Sequence, residues 1–157
     1  PKHNYAYHTE AMDRAMDGGI DDVGLGVLFG LELYRYEFTA LLMHAEHLEA
    51  VHGVGPHTIS VPRIKKADDI DPSAFDNGID DDTFAKIIAC IRISVPYTGM
   101  IISTRESQAC REKVIGLGIS QISGGSKRAS AVMRSRSFRK NAASSLMSVT
   151  QEHLTRW

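Results

Sequence analysis

Short apolar runs and longer amphipathic runs alternate along this 157-residue chain, joined by a few small or polar residues. That alternation restricts the fold to βα units, in which parallel strands are connected by crossover helices. About four such units are predicted. His8–Asp17 places Ala11, Met12, Ala15 and Met16 at helical spacing, and Gly18-Gly19 ends it as C-terminal glycines do. Val23–Leu31 reads as a strand apolar on both faces, the pattern of a covered parallel sheet. Tyr36–His52 follows as an amphipathic helix through Phe38, Leu41, Leu42, Ala45 and Leu48, closed by Gly53.

Thr58–Val61 is the next expected strand. Asp68–Asp82 is an acidic loop whose Asp80-Asp81-Asp82 run suits the N-terminus of a helix over Thr83–Ser94, where carboxylates complement the helix dipole. Gly99–Ser103, a helix over Ser107–Leu117 ended by Gly118, and a strand over Ile119–Ile122 complete the pattern. Each strand ends in small or polar residues: Gly30, Pro62-Arg63, Thr104-Arg105-Glu106, and Ser123-Gly124-Gly125. In a β/α barrel the C-terminal strand ends form the active face, so chemistry is expected there; the plainer reading is that these residues only begin loops.

Composition fits one globular domain, with 43% hydrophobic and 24% charged residues. The formal net charge of −1 conceals a break. From Lys127 onward seven Lys or Arg face one acid, Glu152, so the last 31 residues carry +6 and the remainder −7. Cys90 and Cys110 are isolated, without CxxC or CxxxCxxC spacing, which argues against a disulfide framework and suits a reducing compartment. No apolar run approaches the roughly 20 residues that cross a bilayer, so neither membrane nor nucleic acid is an expected partner. Pro1 is not a translated start; a piece of a longer cytoplasmic protein is the expectation.

The strings GIDDVGLGVLFGL, LLMHAEHLE, GVGPHTISVPR, VPYTGMIISTRE and LGISQISGGS are similar, in order and spacing, to the tyrosine lyase family of FeFe-hydrogenase maturation. The resemblance covers nearly all of residues 1–126. More distantly, the region resembles the domain associated with biotin and thiamine synthesis enzymes, and the 2-iminoacetate synthase of thiamine biosynthesis is the alternative family. The resemblance implies an α/β fold: the C-terminal half of a radical S-adenosylmethionine TIM-type (β/α) barrel, with its fifth to eighth strands. It implies tyrosine as substrate, cleaved to p-cresol and dehydroglycine with carbon monoxide and cyanide as later products. S-adenosylmethionine and 4Fe-4S clusters are the implied cofactors. The CxxxCxxC loop, the N-terminal half-barrel and the C-terminal cluster domain are absent from these residues, so this chain alone is expected to be inactive.

Carried residue by residue, the resemblance makes Arg105 of the STRE motif the anchor for a substrate carboxylate, a task suited to a guanidinium fork. Pairing with Glu106 or an acidic loop is the alternative. Ser123 would add a hydroxyl to the same carboxylate, or serve only as a strand-end residue. Ser60, Pro62 and Arg63 are expected at the lip near S-adenosylmethionine and substrate, with an ion pair to Asp68-Asp69 as the competing role for Arg63. Gly24, Gly26 and Gly30 would permit close approach of the adenosyl group, or merely ease packing. His57 is the implied ligand of the labile iron of the second cluster. His44 and His47 lie three apart on one helix, with no third ligand visible, and read as a solvated face.

After Ser126 the family continues roughly as TSVGGYAE, whereas this chain gives KRASAVMRSRS. Reading the last base of each synonymous codon with the first two of the next yields TSVGGY from Lys127–Met133, and QFDVSDTRTLDEV from Ser144–Trp157. Residues 127–157 are therefore expected to be a displaced-frame, non-native basic tail, with Ser137–His153 helical by propensity. The competing function class is a non-catalytic fragment that binds a partner through this tail.

Overall fold

The computed structural model describes residues 4–65 and 77–124. The Asp68-Asp69 loop and the basic tail with its expected helix lie outside the described residues. The described part contains four strands, β1 (Gly24–Gly26), β2 (Thr58–Ser60), β3 (Gly99–Ser103) and β4 (Gln121–Ser123). All neighbours pair in parallel, in the order β1-β2-β3-β4. Spatial order equal to chain order is that of a barrel arc; a doubly wound sheet would reverse direction.

The helices are α1 (Tyr5–Thr9), α2 (Ala11–Asp17), α3 (Tyr34–His52), α4 (Asp81–Ser94) and α5 (Gln108–Ile115). Leu41, Ala45 and Leu48 of α3 and Phe84, Ile87, Ile88 and Ile91 of α4 recur at helical spacing and are buried. They form one core with Leu25, Ile59, Met100 and Ile102, the alternate strand residues that face the helices. At about 25 cal/mol per Å² of apolar surface removed from water, these side chains dominate the stabilisation of the sheet.

The opposite face of the sheet is less apolar than the face that packs on the helices. In register across the strands it carries Gly24, Thr58 and Gly99, then Gly26, Ser60, Ile101 and Gln121, then Ser103 and Ser123. Small and polar side chains prevail there, which lowers the cost of leaving the concave face wet.

Helix ends follow side-chain chemistry. Asp80 caps α4 by accepting from the Thr83 N–H at 2.6 Å, and Ser107 caps α5 by accepting from the Cys110 N–H at 3.2 Å. Gly53 ends α3 with φ of +74°, donating to the Glu49 carbonyl. The first expected helix is interrupted at Glu10, so that Asn4 caps a separate α1. The expected strand from Val23 to Leu31 is shorter. Pairing lapses after Gly26 and resumes only where Phe29 bridges Arg63, and Gly30 then turns the chain with φ of +104°.

Candidate functional site at the C-terminal strand ends

Ser60, Pro62, Ile101, Ser103 and Ser123 line one small depression at the C-terminal ends of β2, β3 and β4. Three of these were expected at the lip from sequence. Ile101 and Ser103 were not, although the period-two alternation of GMIIS places them on the same face as Ser60 and Ser123. Ser123 Oγ lies 3.3 Å from the Ile102 carbonyl and donates to it. A larger open groove between α3 and α4, lined by Phe38, Lys86 and Cys90 among others, is built from helix residues and contains none of the expected site residues.

Arg105 stands in the turn leaving β3, and that turn is held from several sides. Its own N–H donates to Ser103 Oγ at 3.2 Å, and the Glu106 N–H donates to the Ser103 carbonyl at 3.1 Å. Arg111 donates from Nη1 to the carbonyls of Thr104 and Glu106. The Arg105 side chain is exposed, and among the described residues its guanidinium meets no carboxylate. Pairing with Glu106 is not what the structure contains, because Glu106 turns the other way, into the interior.

There Glu106 meets Arg63. The Arg63 side chain is 2% exposed and that of Glu106 3%. Arg63 Nε and Nη2 donate to the two carboxylate oxygens at 2.9 and 2.7 Å, a bidentate pair. Nη1 donates to the Ile79 carbonyl, Nη2 also reaches Asp81 and Cys110 Sγ, and the guanidinium lies over the Phe84 ring at 4.4 Å. Lys65 adds a contact to Glu106 at 3.0 Å. Burial opposes the charge on Arg63, but its bonds to Glu106 and Asp81 outweigh burial and hold its pKa above the ordinary value. Burial likewise pushes Glu106 up, and the hydrogen bonds from Arg63 and Lys65 prevail, leaving it below the ordinary carboxylate value.

Arg63 is thus a buried residue whose partners among the described residues are Glu106 and Asp81 across the fold. Asp81, Glu106 and Cys110 approach one another as metal ligands do, yet the Arg63 guanidinium occupies the space between them. Gly30 is also engaged, its N–H donating to Glu37 Oε2 at 3.0 Å while the Glu32 N–H donates to Oε1 at 2.9 Å. Glu37, buried and not singled out from the sequence, thus pins the loop after β1. Gly24 and Gly26 leave β1 bare on the concave face. A Cβ on Gly26 would come within 3.0 Å of the Ser60 carbonyl.

His57 lies at the other end of the sheet. It immediately precedes β2, its N–H donates to the Val23 carbonyl and its own carbonyl accepts from Gly99. The side chain is 60% exposed, with Nε2 3.9 Å from Asp22 Oδ1. The structure therefore gathers Ser60, Pro62 and Ser123 at one end of the strands and places His57 at the opposite end. Cys90 is exposed on α4 and Cys110 buried on α5 beside Arg63, so the described cysteines do not form a cluster-binding set. No helix among the described residues is long and apolar enough to cross a membrane.

Known proteins match this arrangement. The crystal structure of HydG, a maturase of the [FeFe]-hydrogenase, superposes with a TM-score of 0.75 at 61% identity, covering 78% of this chain and 27% of that one. The X-ray structure of the FeFe-hydrogenase maturase HydG from Carboxydothermus hydrogenoformans gives 0.72 at 38% identity, over 98% of this chain and 36% of that one. The 2-iminoacetate synthases of Escherichia coli strain K12 and Salmonella typhimurium strain LT2 are 30% and 28% identical over 128 residues, 80% of this chain in each case. The chain spans about a third of the length of these curated relatives, 33% of each. The profile of the Biotin and Thiamin Synthesis associated domain matches residues 60–154, which takes in most of the basic segment. On that match the chain belongs to the Biotin and Thiamin Synthesis associated domain family, and its described residues form a barrel fragment of the kind found in radical S-adenosylmethionine tyrosine lyases of the HydG and 2-iminoacetate synthase type.

Proposed function

We propose that this chain supplies the substrate-binding half of a tyrosine lyase barrel of the hydrogenase-maturation branch. The observation that carries the reading is Arg105, an exposed guanidinium without a carboxylate partner among the described residues, on a turn fixed beside the serine-lined depression. Its fork binds the carboxylate of tyrosine, and Ser123 adds a second donor by rotating its hydroxyl off the Ile102 carbonyl. Arg63 is a positioning residue: by holding Glu106 inward it leaves the Arg105 side chain facing outward.

S-adenosylmethionine and a 4Fe-4S cluster supply the radical in the complete enzyme. The cysteines described here do not fit that cluster, and this chain contributes binding surface alone. Gly24 and Gly26 leave room on the concave face for a flat adenosyl group, and Ser60 and Pro62 border it. His57, solvent-facing at the far end, is available to a metal held mainly by another domain. Identity of 61% to HydG, against 30% to the Escherichia coli 2-iminoacetate synthase, favours the maturation branch.

Residues 127–157 are read as a displaced frame. Sequencing the gene across the Ser126 codon decides this, because a displaced frame lacking TSVGGY would return residues 127–154 to the family domain. The functional reading is tested by grafting residues 1–124 in place of the matching segment of the Carboxydothermus hydrogenoformans HydG and following p-cresol release. We expect turnover that Arg105→Met reduces by about 100-fold or more, as loss of a charged anchor costs several kcal/mol. An Arg105→Met graft as active as its parent would overturn the assignment.

A further inference from the structure

Gln121 opens β4 and pairs in register with Ile101, so its side chain shares the concave face with Gly26, Ser60 and Ile101. It is exposed there and stands apart from Arg105 and Ser123 at the lip. Its amide leans back toward the N-terminal end of the sheet and lies over Gly99. A Cβ on that glycine would stand 3.1 Å from Gln121 Nε2 and 3.4 Å from the Thr58 methyl. Gly24 leaves the same room on the other side of Thr58, where a Cβ would meet Thr58 Oγ1 at 2.7 Å. The row through Gly24, Thr58 and Gly99 therefore holds no bulky side chain.

In a closed β/α barrel such a row is ordinarily filled by branched apolar residues. A long amide aimed into that space needs a polar partner once the barrel closes, because a buried amide without one is costly. Among the described residues the Gln121 amide takes no hydrogen-bond partner. The wall above it is graded. Ser103 and Ser123 make a polar layer at the strand ends, Ile101 an apolar layer beneath, and the Gln121 amide a polar point below that. Gln121 starts two residues below Ser123 and its amide reaches the level of Gly99, two residues lower again, which puts it between about 7 and 13 Å under the lip. A tyrosine with a hydrogen bond at each end fits that span. Its carboxylate, apolar ring and single hydroxyl follow the same polar, apolar, polar order.

We propose that Gln121 reads the phenol hydroxyl of tyrosine and so sets the specificity of this barrel against phenylalanine. The inference rests on Arg105 as the carboxylate anchor and deepens that reading by fixing the other end of the substrate. The hydroxyl donates to the amide oxygen or accepts from the amide N–H₂, Ile101 packs on the ring, and Gly99 leaves the amide its place. A site built to hydrogen-bond a hydroxyl rejects the analogue that lacks it, because the amide is then left unpaired.

The test uses the full-length Carboxydothermus hydrogenoformans HydG carrying residues 1–124 of this chain, loaded with S-adenosylmethionine. Calorimetry measures the dissociation constants of tyrosine and phenylalanine. The parent graft should bind tyrosine about 10-fold more tightly or better, the worth of one well-made hydrogen bond. Gln121→Met is close in volume and lacks the amide, so it should remove that advantage by weakening tyrosine while leaving phenylalanine no weaker. Gln121→Asn draws the amide back toward its own strand and should act in the same direction. Both replace an exposed side chain, so the fold is kept. Arg105→Met should weaken both amino acids alike and preserve their ratio; no effect of Arg105→Met on tyrosine would overturn the carboxylate anchor alone. A ratio near one in the parent, or a ratio unchanged in both Gln121 variants, overturns the assignment of Gln121. Failure of the parent to bind tyrosine overturns both readings.

Discussion

Glu106→Gln tests how the barrel fragment holds its lip. The substitution keeps side-chain volume but removes the charge that answers a guanidinium only 2% exposed, and it turns an amide N–H₂ or a lone carbonyl toward Arg63 Nη2. Asp81 remains as a partner, but its side chain is 55% exposed and its attraction is screened. Removing one member of a buried pair costs 3–5 kcal/mol, and with Asp81 retained we expect the low end, about 3 kcal/mol. For a body of this size roughly 4 °C is lost per kcal/mol, so the thermal midpoint followed by circular dichroism should fall by about 12 °C. Replacing both partners, Arg63→Met with Glu106→Leu, should recover most of the loss, because packed apolar residues need no counter-charge. The acid limb provides a second reading. The folded pKa of Glu106 is depressed, so its contribution is complete above the unfolded value near 4.5 and is lost as pH falls through the folded one; Glu106→Gln should flatten that dependence. A cost below 1 kcal/mol, or a double variant worse than the sum of its parts, would refute the reasoning.

Asp80→Ala removes the cap on the Thr83 N–H and should cost about 1 kcal/mol in urea denaturation. Ile88→Ala opens a cavity under α4, where the side chain is fully buried, and should cost roughly 3 kcal/mol by the same assay. Gly118→Ala forces a Cβ to within 2.9 Å of Arg92 atoms at φ of +131° and displaces an arginine that donates to the carbonyls of Pro96, Thr98 and Gly118. A loss above about 1 kcal/mol is expected, with broadened amide signals for residues 96–98.

Much of the fold was legible because its signals are local. GMIIS is bounded by a turn and by Thr104-Arg105-Glu106, and the observed strand coincides with the expected one. The lip followed from a topological rule, since serines that end parallel strands must meet once the strands pair in sequence order. Partnerships across the chain were not legible. Arg63 and Glu106 lie 43 residues apart, Asp13 and His52 39 apart, and no local pattern distinguishes such pairs from surface charges. Arg63 invited a partner near in sequence, and the buried partner described is Glu106, across the fold beside Phe84. Glu37 escaped notice because a glutamate in the first turn of a helix ordinarily answers the dipole; here it serves the backbone of the preceding loop.

The two ends of the sheet also differ in how freely they can change. Three residues of β2 separate His57 from the depression beyond Ser60, about 10 Å at the rise of a strand. Sites that far apart, sharing no partners, respond to substitution additively. A substitution at the histidine should therefore leave the arginine turn unperturbed, and the reverse holds as well. The strand between them is a spacer that insulates one end of the chain from changes at the other.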